Sequence, residues 1–195
     1  MNRSSIIAFA AVATLLTGCL VPEKFAAKAS FQPGGSYSFS YAGTAVHGMA
    51  ALQLAKTGKL SAKDDAALGS EVATMTRNPD VRAVSYKGNG RYDLTLEAKR
   101  SKGQALDLLG IVNVKTSKDG VVTISSPEIN EKSKKELSQL GIKIDGTLDV
   151  TIPKNAEVIS HNATGTPTFF GLVGTYSWKI GSVEQRPMMK FRLKE

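Results

Sequence analysis

Few side chains in this sequence could do covalent or metal chemistry. It contains one cysteine, Cys19, and two histidines, His47 and His161. Zinc sites combine Cys, His and carboxylate ligands at short spacings, and neither histidine belongs to such a motif. The pair Asp64-Asp65 suits the first turn of a helix, where carboxylates face the positive end of the helix dipole. We therefore predict no metal and no cofactor.

The serines form no motif typical of a catalytic nucleophile. The sequence has no Gly-x-Ser-x-Gly elbow, no Walker lysine and no dinucleotide-binding glycine pattern. Because catalytic triads are defined by geometry in space, a hydrolase with a Ser/His/Asp site that uses His161 stays open as an alternative. The other interpretation of His161 is a polar loop residue. We predict that the protein is not an enzyme.

An apolar leader precedes the cysteine. Arg3 supplies a positive charge, and residues 6–16 are apolar except for Thr14. This run is too short to cross the ~30 Å hydrocarbon layer of a bilayer as a helix. A basic start, a short apolar run and small residues at its end are typical of a secretory signal. The end of this leader resembles the lipobox of bacterial lipoproteins, formed here by Leu16, Thr17, Gly18 and Cys19.

The lipobox resemblance implies a lipid anchor. By this resemblance the Cys19 thiol receives a diacylglycerol, residues 1–18 are removed as a signal peptide, and the new amine receives an acyl group such as palmitate. Two or more acyl chains hold a protein stably in a membrane. In enteric-type bacteria an Asp after the cysteine retains the protein in the inner membrane, so Leu20 implies the outer membrane, facing the periplasm. The alternative is an ordinary secretory signal, with Cys19 left without lipid.

The rest of the composition is that of a globular protein. Hydrophobic residues make up 42% and charged residues 22% of the chain, which excludes a wholly disordered protein. Residues 19–35 contain two prolines and a Gly-Gly pair, and we interpret them as the lipidated cysteine followed by a flexible tether. Residues 36–195 then form a single domain.

Alternation of apolar and polar residues with a period of two dominates this domain. Asn89-Gly90 and Asp119-Gly120 lie between alternating segments and predict hairpin turns with positive φ at both central residues. Residues 44–57 fit either a strand or a helix. We predict an α+β fold: a largely antiparallel sheet built from hairpins, with two or three helices packed on one face.

Three segments predict those helices. The first is capped by Ser61, with Asp64 at the capping-box position, and ends before Asn78-Pro79. The second begins at Ser126-Pro127, with proline at the first helical position. The third is a short helix over residues 102–109.

The net charge is +8, with basic residues clustered at 99–102, 132–135 and 190–194. An exported protein does not meet the genome, so we predict no nucleic-acid partner. We expect membrane lipid to be a partner through acylated Cys19. The basic surface is either solvated or in contact with an anionic lipid, lipopolysaccharide or a cell-wall polymer; a protein partner is not identified by the sequence.

An apolar, glycine-flanked segment runs from residue 165 to residue 174. Phe169, Phe170 and Leu172 fit neither a regular strand nor a helix, and the polar stretch around His161 precedes them. One interpretation is a buried strand with a bulge. The other is an apolar loop that, with His161, contacts a ligand or acyl chains of the membrane.

The last third of the chain resembles the LppM type of envelope lipoprotein. The residues concerned are the strand 150–153, which ends in proline, then Asn162, and the strand 176–178 with its tryptophan. This resemblance implies an α/β domain that binds membrane glycolipid. From the anchor, the basic surface and the lack of a catalytic motif, we predict a membrane-anchored envelope lipoprotein with a non-enzymatic module that binds lipid, an anionic envelope polymer or a protein. The alternatives are an envelope hydrolase and a structural subunit of an envelope assembly.

Overall fold

A computed structural model describes residues 20–110, 112–167 and 174–194. This described part contains three helices, α1 (Gly48–Thr57), α2 (Ala62–Met75) and α3 (Glu131–Gln139). It also contains eleven strands: β1 (Leu20–Phe31), β2 (Tyr37–His47), β3 (Val81–Gly88), β4 (Arg91–Arg100), β5 (Leu106–Leu108), β6 (Val112–Thr116), β7 (Val121–Ser125), β8 (Asp145–Ile152), β9 (Ala156–His161), β10 (Gly174–Ile180) and β11 (Met188–Leu193).

The strands form two sheets. The larger has the order β10-β8-β1-β2-β4-β3 and the smaller has the order β5-β6-β7-β11-β9. Neighbouring strands are antiparallel except β1 and β8, which run parallel. The predicted α+β class, with largely antiparallel pairing and three helices, is confirmed. The period-two pattern predicted strands but could not divide them between two sheets.

The predicted tether is wrong for most of its length. The structure places Leu20–Phe31 in β1, in the interior of the six-stranded sheet between β8 and β2. Phe25, Ala27, Ala29 and Phe31 alternate into the core. Because two of these inward residues are alanines, the period of two is weak in the sequence and was interpreted as linker composition.

The two sheets and α2 share one hydrophobic core. Phe31 of β1 and Phe191 of β11 meet in it across the two sheets. Helix α2 covers the β3–β4 end of the larger sheet, where the buried Tyr92 hydroxyl donates to the Leu68 carbonyl oxygen at 2.9 Å. The opposite face of this sheet carries polar residues such as Lys28 and Thr147. An antiparallel sheet with one packed face has this alternation.

The helix predictions were confirmed in part. Ser61 caps α2 by accepting a hydrogen bond from the Asp64 amide at 3.0 Å, as predicted. The ambiguous residues 44–57 divide between the end of β2 and α1, because the His47 side chain caps a helix that begins at Gly48.

Two other helix predictions were wrong in position or kind. Helix α3 begins at Glu131 after an Asn130 cap, not at Ser126-Pro127. No helix forms over 102–109, and residues 106–108 form the strand β5 instead, because Leu106 and Leu108 are both buried while Asp107 between them is exposed.

Both predicted hairpins are present. Asn89 and Gly90 have φ values of 52° and 71°, as the predicted turn with two positive φ angles requires. In the second hairpin only Gly120 of the predicted pair has a positive φ, of 80°. There the Gly120 amide donates to the Ser117 carbonyl oxygen at 3.0 Å, so this turn differs from the predicted type. Within the described ranges, no helix combines the length and apolar character needed to span a membrane.

Candidate functional site: an apolar cleft at the start of the first strand

An open cleft of about 820 Å³ lies where β1 begins. The first three residues of β1 form one wall, and α1 and α3 form two others. The floor is completed by side chains that precede β8 and end β10, including Ile142, Ile144 and Ile180. Pockets that bind small apolar ligands have volumes of roughly 300–1,000 Å³ and walls of this kind.

Helix α3 and its C-cap Leu140 form a wall in which two leucines lie beside polar side chains. The Asn130 side chain caps the helix by accepting a hydrogen bond from the Ser133 amide at 2.8 Å. Leu137 and Leu140 then point at a small cluster of buried residues that includes Val46 and Ile142. No residue of α3 is itself fully buried. The helix therefore rests on the domain through two leucines and leaves part of their surface to the cleft.

Helix α1 carries an exposed apolar residue at the cleft. Met49 is 64% exposed and lines the cleft together with Leu52. The same two residues also line a smaller depression of about 380 Å³ between α1 and α2. An exposed methionine that joins two apolar depressions is a surface that tends to bind apolar partners.

The edge of the cleft is polar. Arg186 lies 4.0 Å from the Glu128 carboxylate and donates to the Ser126 carbonyl oxygen at 3.4 Å. The buried Ser126 hydroxyl has no hydrogen-bond partner among the residues that the structure describes. An apolar interior with a polar edge suits an acyl chain whose polar end stays near water.

An ion pair connects α3 to the loop that follows β10. The Lys134 ammonium lies 2.7 Å from Glu131 and 2.8 Å from Glu184. The hydrogen bonds that Lys134 donates, first to Glu131 and then to Glu184, raise the pKa of Lys134. This contact ties the outer surface of α3 to the segment that closes the cleft on the other side.

The cleft lies next to the predicted lipidation site in the chain. Leu20 lines it, and Cys19 is joined to Leu20 by one peptide bond, which sets their Cα atoms ~3.8 Å apart. The lipobox residues Leu16, Thr17, Gly18 and Cys19 lie outside the described residues. The sequence did not predict the cleft, because its walls come from four distant parts of the chain.

His161, the histidine of the predicted alternative site, lies at the end of β9 and not in the cleft wall. Its Nδ1 accepts a hydrogen bond from the Ala163 amide at 3.2 Å, and its ring packs edge-on against Tyr176 at 4.8 Å between centroids. Over the described ranges no group of three metal-binding side chains occurs. The candidate contacts Phe169, Phe170 and Leu172 lie outside the described residues.

Asn162, one of the residues in the C-terminal resemblance, fastens the loop that borders the cleft. Its Oδ1 accepts from the Trp178 indole and from the Met188 amide, each at 2.8 Å. Its Nδ2 donates to the Arg186 carbonyl oxygen at 2.7 Å. The side chain thus joins β10, β11 and the segment before β11, which carries the polar edge of the cleft.

Comparisons with known proteins gave likenesses to solved structures. No protein-family model matches the chain, and no curated protein matches it. Among solved structures, the NMR structure of the folded domain of LppM from Mycobacterium tuberculosis is similar, with a TM-score of 0.37 and 14% sequence identity. The likeness covers 89% of this chain and 91% of that domain.

Proposed function

We propose that this protein is a bacterial envelope lipoprotein, anchored through lipid on Cys19 in the outer membrane and facing the periplasm. Its domain is a non-enzymatic module that binds an acyl chain in the cleft. The observation that carries this proposal is the apolar cleft whose wall begins at Leu20, the residue after Cys19. The anchor and the cleft are therefore neighbours in the chain.

Lipid fits the apolar part of this cleft better than a carbohydrate or a charged polymer does. Helix α3 contributes Leu137 beside the polar Ser133, Glu136 and Gln139. The walls supplied by β1 and α1 are apolar, and each methylene removed from water contributes about 0.8 kcal/mol. A carbohydrate or charged polymer would leave its hydroxyl or anionic groups unpaired against such walls, at a cost in free energy.

The polar edge supplies partners for the head of a lipid. Arg186 is a cation at the mouth of the cleft and lies 4.0 Å from the Glu128 carboxylate. An ester or phosphate oxygen accepts hydrogen bonds from a guanidinium group. The cleft thus offers an apolar interior for a chain and donors for the polar end of the same molecule.

A fluorescent fatty acid titrated into purified residues 20–195 tests binding. We expect saturable binding that Leu140→Asp abolishes, because the new carboxylate lies against the apolar wall. Ser138→Asp is the matched control, since it puts the same charge on an exposed position of the same helix. Equal binding by both variants, with unchanged melting temperatures, would contradict a cleft site.

A further inference from the structure

We propose that one acyl chain of the lipid on Cys19 itself occupies the cleft. This inference rests on the proposed function, because it requires both the anchor and the cleft. It goes further by naming the occupant: the domain binds its own anchor, in preference to a free lipid. The cleft then covers one acyl chain of the lipid that anchors the protein in the membrane.

Connectivity is the first argument. Leu20 is buried, is the first residue of β1, and lines the cleft. The thioether on Cys19 therefore starts within one residue of the wall, since consecutive Cα atoms lie ~3.8 Å apart. No linker separates the anchor from the folded domain, because β1 already pairs with β2 at Leu20 and His47.

Effective concentration is the second argument. A ligand joined to its site by a short linker is present at millimolar effective concentration, and linked binding exceeds separate binding by about 10²–10⁴-fold. A free lipid that is dilute in solution must therefore compete with a chain that is attached beside the wall. On that side the cleft is lined by Leu20, Val21 and Pro22, the three residues that follow Cys19.

The number of acyl chains is the third argument. Two chains are sufficient for stable anchoring, so the third chain of a triacylated cysteine can leave the bilayer and occupy the cleft. Bilayer interior and cleft are both apolar, so a chain that moves between them gains little from the hydrophobic effect. In water the cleft protects the chain, because each sheltered methylene avoids a cost of about 0.8 kcal/mol.

This arrangement also orients the domain. With one chain in the cleft and the others in the bilayer, the end of the domain that carries α1 and α3 faces the membrane. Met49, which is exposed beside the cleft, then lies at the membrane surface.

Photocrosslinking in the full chain tests the inference. The protein is produced with its leader in a bacterium, with the diazirine amino acid photo-leucine at position 140. Unlabelled and ¹⁵N-labelled copies are reconstituted together in vesicles of phosphatidylethanolamine and phosphatidylglycerol and irradiated. Trypsin then releases the anchor as residues 19–24 and the labelled segment of α3 as residues 136–143. Photo-leucine at position 137 is the second variant, in case the first does not fold, and position 138 is the exposed control.

With photo-leucine at position 140, we expect residues 136–143 to be joined to the acylated peptide 19–24 of the same isotopic label. The yield of this product should be about tenfold higher than with photo-leucine at position 138. Addition of a vesicle lipid to residues 136–143 would overturn the inference and leave the proposed function standing. Pairs of mixed label would also overturn it, because the anchor would then come from a second copy. Insertion of water alone would contradict both, and an unmodified Cys19 in the wild type would contradict the proposed anchor.

Discussion

The rings of Phe31 and Phe191 meet edge to face, with centroids 5.0 Å apart and planes at 80°. Phe31 lies on β1 and Phe191 on β11, so the pair joins the two sheets. Phe191 is fully buried, and truncation of such a residue leaves a cavity that the backbone cannot fill. We expect Phe191→Ala to lower the free energy of unfolding by about 3–5 kcal/mol, measured by urea denaturation.

Lys190→Ala is the matched control for that change, because Lys190 is the exposed neighbour on the other face of β11. We expect it to alter the free energy of unfolding by less than about 0.5 kcal/mol. Equal urea midpoints for the two variants would show that the sheets are not held together at Phe191.

The β3–β4 turn supports α1 at a glycine. Gly90 has a φ of +71°, and a Cβ there would collide with the Cβ of Ala50 on α1. Gly88 has a similar φ of +84° but open space around the same position. We expect Gly88→Ala to cost about 1–2 kcal/mol from backbone strain alone, and Gly90→Ala to cost a further ~1–3 kcal/mol from overpacking.

Thermal denaturation of both glycine variants measures this difference. Hydrogen exchange in α1 should also rise in Gly90→Ala and stay at the wild-type rate in Gly88→Ala, because α1 contacts only the first of these glycines. Identical melting temperatures for the two variants would mean that the hairpin does not position α1.

Helix caps and hairpin turns that depend on neighbouring residues were predicted correctly from the sequence. The Ser61 cap and the Asn89-Gly90 turn depend on residues a few positions apart, and both formed as expected. The tether prediction is wrong for residues 20–31, because their inward side chains are partly alanines and the period of two is weak. Their position between β8 and β2 shows that they form an interior strand.

The candidate site was less predictable than the fold. The cleft is assembled from the start of β1, α1, α3 and the loop after β10, and nothing in one sequence indicates that these segments meet. The segment 165–174 and His161 were proposed because they are unusual in sequence. His161 lies outside the cleft wall, and residues 168–173 lie outside the described structure.

Alkaline unfolding should follow the buried tyrosines. Burial raises the pKa of Tyr37 to about 12, against a lowering influence from Arg100; burial also raises the pKa of Tyr41 and Tyr92. Because the unfolded chain loses these protons near pH 10 while the folded chain keeps them, their contribution is complete below pH 10 and is lost as pH rises toward 12.

Urea unfolding between pH 9 and 11.5 measures this slope. We expect the free energy of unfolding to fall with pH in the wild type and to fall less steeply in Tyr37→Phe, which cannot ionise there. Tyr37→Phe also loses the hydrogen bond to the Gln104 carbonyl oxygen, so its free energy of unfolding is already lower than that of the wild type at pH 9. Parallel curves for both proteins would contradict the assignment of the slope to Tyr37.

The Lys134 ion pair should control how often α3 opens. Lys134→Met removes the contacts to Glu131 and Glu184 but leaves the leucine face of the helix intact. We expect faster hydrogen exchange in 131–139, and faster entry and exit of a fluorescent fatty acid. Lys135→Met is the control, because Lys135 is an exposed neighbour on the same helix. Equal exchange rates in the two variants would show that α3 is held by its leucines alone.

The most direct test of the central claim is the intact mass of the mature protein from the membrane fraction, compared with Cys19→Ala. We predict a wild-type chain that begins at Cys19, carries diacylglycerol and an amide-linked acyl group, and leaves the membrane fraction when Cys19 is replaced. A wild-type chain with an unmodified Cys19, or equal membrane retention of Cys19→Ala, would contradict the account of a lipoprotein whose anchor lies beside an acyl-binding cleft.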